Sequence, residues 1–484
     1  MQTEIQEIER MFVGGKWIES SSSKRYDVVN PATAEAIASV PLGDARDVNL
    51  AVQAASAAFE SWRKVPPEER ASLVAKLASV LHSKREEFAY AESLNVGHPI
   101  RAMKEDADAG AGTLSFFAGL YPELGGETIP GAPGRVLNYT LREPFGVVGR
   151  IVPFNHPLMF MCEALAAPLV AGNTVIVKPA SITPLSALML CREIEQIFPP
   201  GVVNVVTGAG SDVGAAIASH PKIRRVALTG SVETGKEIAR LGAEHLKYIT
   251  LELGGKNPIV IFPDVDLETA VKTAVKGMNF TWTASQSCQS TSRCFIHSSI
   301  HDEFITRLAQ AFEEIRLGIP TREDTQMGCL SSKSQISKVE QYVKVGVAEN
   351  AKLVTGGRKP EDPELARGYF YRPTLFDNVP PGSRLIKEEI FGPVLSVVAW
   401  NDYETMVAQA NSVEYGLTAI ILTNNVSNAH RLASDLEAGF IWINGPTRTR
   451  GVPFGGYKMS GIGKQGSIDE LKSYTQSKSV MVTI

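Results

Sequence analysis

The chain has 484 residues, 44% of them hydrophobic and 21% charged, proportions typical of well-folded globular proteins. Single cores stop growing at about 250 to 300 residues, so at least two domains are expected. A formal net charge of −4 without any long Lys or Arg run excludes the electrostatic footprint of a nucleic-acid-binding protein. The acidic opening MQTEIQEIER lacks the pattern of a signal peptide, and no apolar run reaches the roughly 18 residues of a membrane span. These features predict a cytoplasmic protein with a small-molecule partner, with no membrane and no nucleic acid. Five cysteines, Cys162, Cys191, Cys288, Cys294 and Cys329, show no CxxC spacing, which predicts no metal site and reduced thiols, one of them a candidate nucleophile and the others inert.

From about Asp44 to Asn95 the apolar residues recur at helical spacing, predicting long amphipathic helices. A Gly- and Pro-rich stretch follows from Leu124, leading into RVLNYTLREP, whose alternation predicts an exposed strand suited to pairing with another subunit. Beyond Val147, short β-branched runs (VVGRIVPF, NTVIVKPA, GVVNVVTG, RRVALTG, YITLELGG) alternate with helical segments, which predicts a parallel, doubly wound α/β sheet. After Gly255 a second βα series runs from NPIVIF to PFGGYK near Lys458, and the tail ends in the strand-like SVMVTI.

Several positions carry candidate chemistry. Cys288 lies among small polar residues in SQSCQS, a setting that suits a reachable thiolate as well as an inert thiol. Glu252 ends an apolar strand before two glycines, where a carboxylate can serve as a general base or as the ion-pair partner of Lys256. Asn155 stands in VPFNHPL between prolines that stiffen its loop, so its amide is a candidate oxyanion donor. Gly230, Ser231 and Gly235 in TGSVETG form a strand-to-helix turn able to receive phosphate, although the full dinucleotide glycine pattern is missing. Lys178 and Ser181 follow a strand at its carboxyl end, where open α/β sheets bind ligands. Glu389 and Phe391 in EEIFGPV read alone as the end of a surface helix.

Together and in this order, PFNHPL, KPASITP, TGSVETG, LELGGKNP, SQSC, EEIFGP and PFGGYKMSGIG resemble the aldehyde dehydrogenase superfamily from near Phe12 to near Val480. The resemblance implies an α/β fold with a Rossmann-like cofactor domain (1–123 and 145–254), a catalytic α/β domain (255–455) and a small bridging β element for oligomerisation (124–144 and 470–484). It implies a homodimer or homotetramer that oxidises an aldehyde to a carboxylic acid with NAD or NADP. Cys288 would attack the aldehyde, Asn155 and the Cys288 N–H would stabilise the oxyanion, and Glu252 would activate the hydrolytic water. Lys178, Ser181, Gly230, Ser231, Gly235, Glu389, Phe391 and Phe154 would hold the cofactor. Ser181 stands where relatives that prefer NAD often carry Glu, which leaves room for the 2′-phosphate of NADP.

Departures from the family pattern are Ser285 in place of Gly, a Glu252-to-Cys288 spacing about two residues longer than usual, and Gln465 in place of a second carboxylate. His156, Phe160, Arg448 and Arg450 are expected to line the substrate entrance, where the two arginines either favour a polar or acidic aldehyde or lie solvated at the rim. Two alternatives stay open: transfer of the acyl group to coenzyme A, against which Glu252 argues, and a non-catalytic binding protein on the same fold.

Overall fold

The structure is a computed structural model that describes residues 10–131, 134–447 and 449–483; Arg448 lies outside the described residues. Five parallel strands form the centre of an eight-stranded sheet, in the order Val203–Val205, Thr174–Lys178, Val147–Ile151, Ile223–Thr229 and Tyr248–Glu252. The two central strands Val147–Ile151 and Thr174–Lys178 are buried at every residue because helices cover both faces. Val148 and Val175 pack with the helices Pro67–Ser83, Ile100–Gly119 and Pro157–Val170, whereas Val147 and Ile176 pack with Ala45–Trp62 and Val232–Ala243. The period-2 alternation of a strand thus feeds two separate apolar layers.

A second, seven-stranded sheet runs in the order Lys352–Thr355, Thr374–Asp377, Val394–Trp400, Arg293–His297, Pro258–Ile261, Thr418–Leu422 and Phe440–Ile443, all parallel except the first strand. The mixed α/β class expected from the sequence is therefore observed. The chain then returns to the first sheet, where Gly461–Ile462 pairs antiparallel with Leu251 and Glu252 and sets Gly461 beside Glu252. A separate three-stranded sheet joins Thr128–Ile129, Val136–Pro144 and Thr475–Thr483, with the last two in register over nine residues. No helix among the described residues is long and apolar enough to cross a membrane.

Candidate active site

Asn155 and His156 follow the strand Val147–Ile151 and precede the helix Pro157–Val170, which starts at Pro157 because the fixed φ of proline suits a first helical turn. Asn155 is buried, and its side-chain amide donates to the Gln286 carbonyl at 2.8 Å, two residues before Cys288. The segment leading to Cys288 is unusual: Ala284 (φ 49°) and Ser285 (φ 63°) both occupy the left-handed region. Such a conformation costs a non-glycine residue about 1–2 kcal/mol. Ser285 therefore adopts a glycine-like backbone without being glycine, and surrounding bonds must hold it.

The Ser285 N–H donates to the Asn279 carbonyl and its carbonyl accepts from the Ser290 hydroxyl, and Asn257 secures the stretch just beyond. Its side-chain amide donates to the carbonyls of Cys288 at 2.7 Å and Ser290 at 3.0 Å, while its side-chain oxygen accepts from the Thr418 N–H. Gly255 allows this close approach, since a Cβ there would lie 2.8 Å from the Cys288 carbonyl oxygen. Sequence reading missed Asn257, although its place directly after LELGGK was the available signal.

Cys288 is partly exposed, whereas Cys162, Cys191, Cys294 and Cys329 are fully buried and burial drives their thiols up. Cys288 and Glu252 line one cavity of about 340 Å³. Glu252 is 5% exposed, and neither carboxyl oxygen has a hydrogen-bond partner. Burial pushes its carboxyl well above the ordinary carboxylate range; Glu470 and Glu163 add to the rise, and Lys464 and Arg150 oppose it. Lys256 is not its partner: the Lys256 ammonium is itself buried and unbonded, and burial beside Arg293 brings it down to about 7.

Phe160 and Arg450 also line the cavity, with the Arg450 guanidinium seated over Gly112 of the helix Ile100–Gly119. His156 does not line it. It is buried, and because a carboxylate can only accept, its Nδ1–H donates to Asp106 Oδ2 at 2.6 Å. The expectation for His156 is thus corrected: the ring turns into the protein to satisfy a buried acid instead of facing substrate. Glu163 and Glu470, which the sequence reading passed over, line the cavity as well, along with Gln465. No spacing rule links them, because they converge from a helix more than 300 residues upstream of the C-terminal segment.

The remaining expected residues gather around the carboxyl ends of the first sheet. Ser231 caps the helix Val232–Ala243, its hydroxyl accepting from the Thr234 N–H at 3.2 Å. Gly235 lets that helix sit against the strand end, since a Cβ there would come within 2.7 Å of both Leu253 methyl groups. Lys178 is buried, donates to the Pro179 carbonyl at 2.9 Å and is brought down by burial to about 8, while Ser181 donates to Gly208. Glu389 accepts from the Gly255 N–H at 2.9 Å, and Phe154 meets Phe391 edge-on at 5.7 Å. A helix N-terminus, a buried ammonium with donors to spare and a carboxylate on adjoining elements fit a dinucleotide, offering sites for its pyrophosphate and ribose groups.

An α/β fold that brings a thiol and a buried, unpaired carboxylate to one cavity offers the groups that covalent nucleophilic catalysis uses. Residues 17–480 match the profile of the Aldehyde dehydrogenase family. The chain belongs to that family. It is 43% identical over 481 residues to Aldehyde dehydrogenase tropH of Talaromyces stipitatus, covering 98% of this chain and 93% of the relative. It is 40% identical over 476 residues to the hydroxyisobutyraldehyde dehydrogenase of Mycolicibacterium austroafricanum, covering 98% and 94% of the two chains. Among solved structures it superposes on an aldehyde dehydrogenase from Bacillus cereus with a TM-score of 0.96 at 39% identity, covering 100% and 98% of the chains. The betaine aldehyde dehydrogenase of Staphylococcus aureus in complex with NAD+ matches with a TM-score of 0.96 at 34% identity, over 99% and 97% of the chains.

Proposed function

We propose that this enzyme oxidises an aldehyde to a carboxylic acid with NAD+ or NADP+, through a thiohemiacetal and then a thioester on Cys288. The observation that carries the proposal is the shared cavity of Cys288 and the unpartnered Glu252 carboxyl. The Cys288 sulfur, as its thiolate, bonds to the aldehyde carbon as the C=O π bond opens, and the carbonyl oxygen becomes an oxyanion held by the Asn155 amide and the Cys288 N–H. When bound, NAD+ or NADP+ would supply the hydride acceptor. Lys178 and Ser181 would hold its adenine-side ribose, Gly230, Ser231 and Gly235 its pyrophosphate, Glu389 its other ribose, and Phe391 with Phe154 would border the nicotinamide. Glu252 then takes a proton from water as the water oxygen bonds to the thioester carbon and the C–S bond breaks, releasing the acid and the Cys288 thiolate.

Glu252 also favours hydrolysis over transfer to coenzyme A, since a carboxylate kept free of partners inside the cavity is what water activation requires. Arg450 at the cavity favours a polar or acidic group at the outer end of the substrate. The units around the first and second sheets serve as cofactor and catalytic domains, and the three-stranded sheet as the bridge of a homo-oligomer. Leu137 and Leu141, each above 40% exposed, share one face of that sheet with Val482, an apolar strip for a second copy to cover. The described thiols outside the cavity form no disulfide, which supports a reducing, cytoplasmic setting.

The decisive test is the absorbance of reduced nicotinamide with a panel of aldehydes, each with NAD+ and NADP+, for the wild type and Cys288→Ala. Reduction that disappears in the variant supports the proposal. Reduction that requires added coenzyme A favours acyl transfer, and silence across the panel leaves the binding-protein alternative standing.

A further inference from the structure

Resting on the dehydrogenase reading, the geometry of the cavity walls points to a substrate class: we infer that the site selects aldehydes carrying a planar ring, and that Asp106 is the positioning residue that fixes the ring slot. Two walls of the cavity are indoles, Trp282 and Trp442. Each has its single polar atom bonded away from the cavity. The Trp282 N–H donates to Asp106 Oδ1 at 2.9 Å, and the Trp442 N–H donates to the Thr447 carbonyl at 2.7 Å. Neither acceptor lines the cavity, so the indoles offer substrate hydrocarbon π surface alone.

The neighbouring rings are held as firmly. Phe160 and Trp282 both meet the buried His156 ring edge-on, at 6.0 Å and 5.4 Å, and Phe440 lies against Trp442 at 4.8 Å and Phe454 at 5.5 Å. Asp106 is fully buried on the helix Ile100–Gly119 and takes one donor on each oxygen, Trp282 on Oδ1 and His156 on Oδ2. One carboxylate thereby locks two rings from segments more than 120 residues apart in the chain. It also anchors the strained stretch that ends at Ser285, since Trp282 belongs to the short helix just before it. Walls fixed in advance favour a rigid flat group, which makes edge and face contacts without losing rotor freedom, over a flexible alkyl chain that must be frozen to fill the same space.

The test compares benzaldehyde, cyclohexanecarbaldehyde and hexanal, with NAD+ or NADP+, in the wild type, Trp282→Leu, Asp106→Leu and Asp106→Asn. The expected kcat/KM for benzaldehyde exceeds that for hexanal by about tenfold or more, with cyclohexanecarbaldehyde well below benzaldehyde because it is not planar. Trp282→Leu and Asp106→Leu lower the benzaldehyde-to-hexanal ratio at least several-fold, chiefly through KM for benzaldehyde. Asp106→Asn keeps the ratio, because its amide oxygen still accepts from Trp282 and its NH2 donates to the other tautomer of His156. Equal use of the three aldehydes by the wild type, or a loss in Trp282→Leu that scales all three alike, overturns the inference while leaving the dehydrogenase reading intact. Silence with all three overturns the inference, and the wider aldehyde panel then decides the dehydrogenase reading separately.

Discussion

The side-chain amide of Asn155 reaches the backbone carbonyl of Gln286 at 2.8 Å, so the loop after the third central strand of one sheet is tied to the segment that presents Cys288. Only one of its two amide hydrogens is used, which leaves the other for a developing oxyanion. Asn155→Ala is expected to lower kcat by about a hundredfold or more, the usual loss for one oxyanion donor. Steady-state rates with a good aldehyde check this, and a change confined to KM would contradict the role.

For Glu252 the expectation concerns pH. A general base loses activity as pH falls through its pKa, and burial raises this carboxyl well above the ordinary range. The acid limb of kcat therefore lies above the pH at which exposed carboxylates titrate. In Glu252→Gln the limb vanishes and turnover drops by about 10²–10⁴, while a burst of reduced cofactor equal to the enzyme concentration survives, because thioester formation does not need the hydrolytic base. Rapid-mixing absorbance distinguishes burst from turnover.

Gly235→Ala tests how the helix Val232–Ala243 is seated. The added methyl would meet both Leu253 methyl groups at 2.7 Å, an overpacking that costs roughly 1–3 kcal/mol. Weaker dinucleotide binding by about an order of magnitude is expected in a calorimetric titration. Gly119→Ala, where a Cβ would meet nothing within 4 Å, serves as the neutral control.

Glu470 carries a pH signature in stability. Burial is the main cause pushing its carboxyl up to about 7, against 4.5 for the exposed group. Between those values the folded protein keeps a proton that the unfolded chain has lost, so the contribution of Glu470 to stability is greatest below 4.5 and is lost as pH rises through about 7. At alkaline pH the penalty is roughly 3 kcal/mol. Glu470→Gln keeps an acceptor for the Gly466 N–H and removes the titration. Its Tm should therefore fall less than that of the wild type between acid and alkaline buffer, a comparison that thermal unfolding provides directly.

The strand runs VVGRI and TVIVK and the amphipathic helices before them were legible because strand and helix periodicities are local, and an apolar run covered on both faces needs no distant information. Cys288, Glu252 and Asn155 stood out as candidates through motifs whose meaning depends on their order along the chain. His156 was misread for the opposite reason. Its motif fixes its backbone next to Asn155, but the direction of its ring is set by Asp106, 50 residues away. Asn257 escaped notice because an asparagine in a turn looks the same in sequence whether or not it grips the backbone of a distant segment such as the one around Cys288.

The sequence alone determined the parallel α/β architecture and singled out the thiol, the carboxylate and the amide as candidates, since these follow from local periodicity and from residue types at set positions in a chain. Only the tertiary structure decided that Glu252 and Cys288 face one cavity, that Glu163 and Glu470 join them there, and that Asp106 locks Trp282 into its wall. A cavity is where several packed elements fail to meet, and which side chains border it depends on how helices and sheets from distant parts of the chain come together.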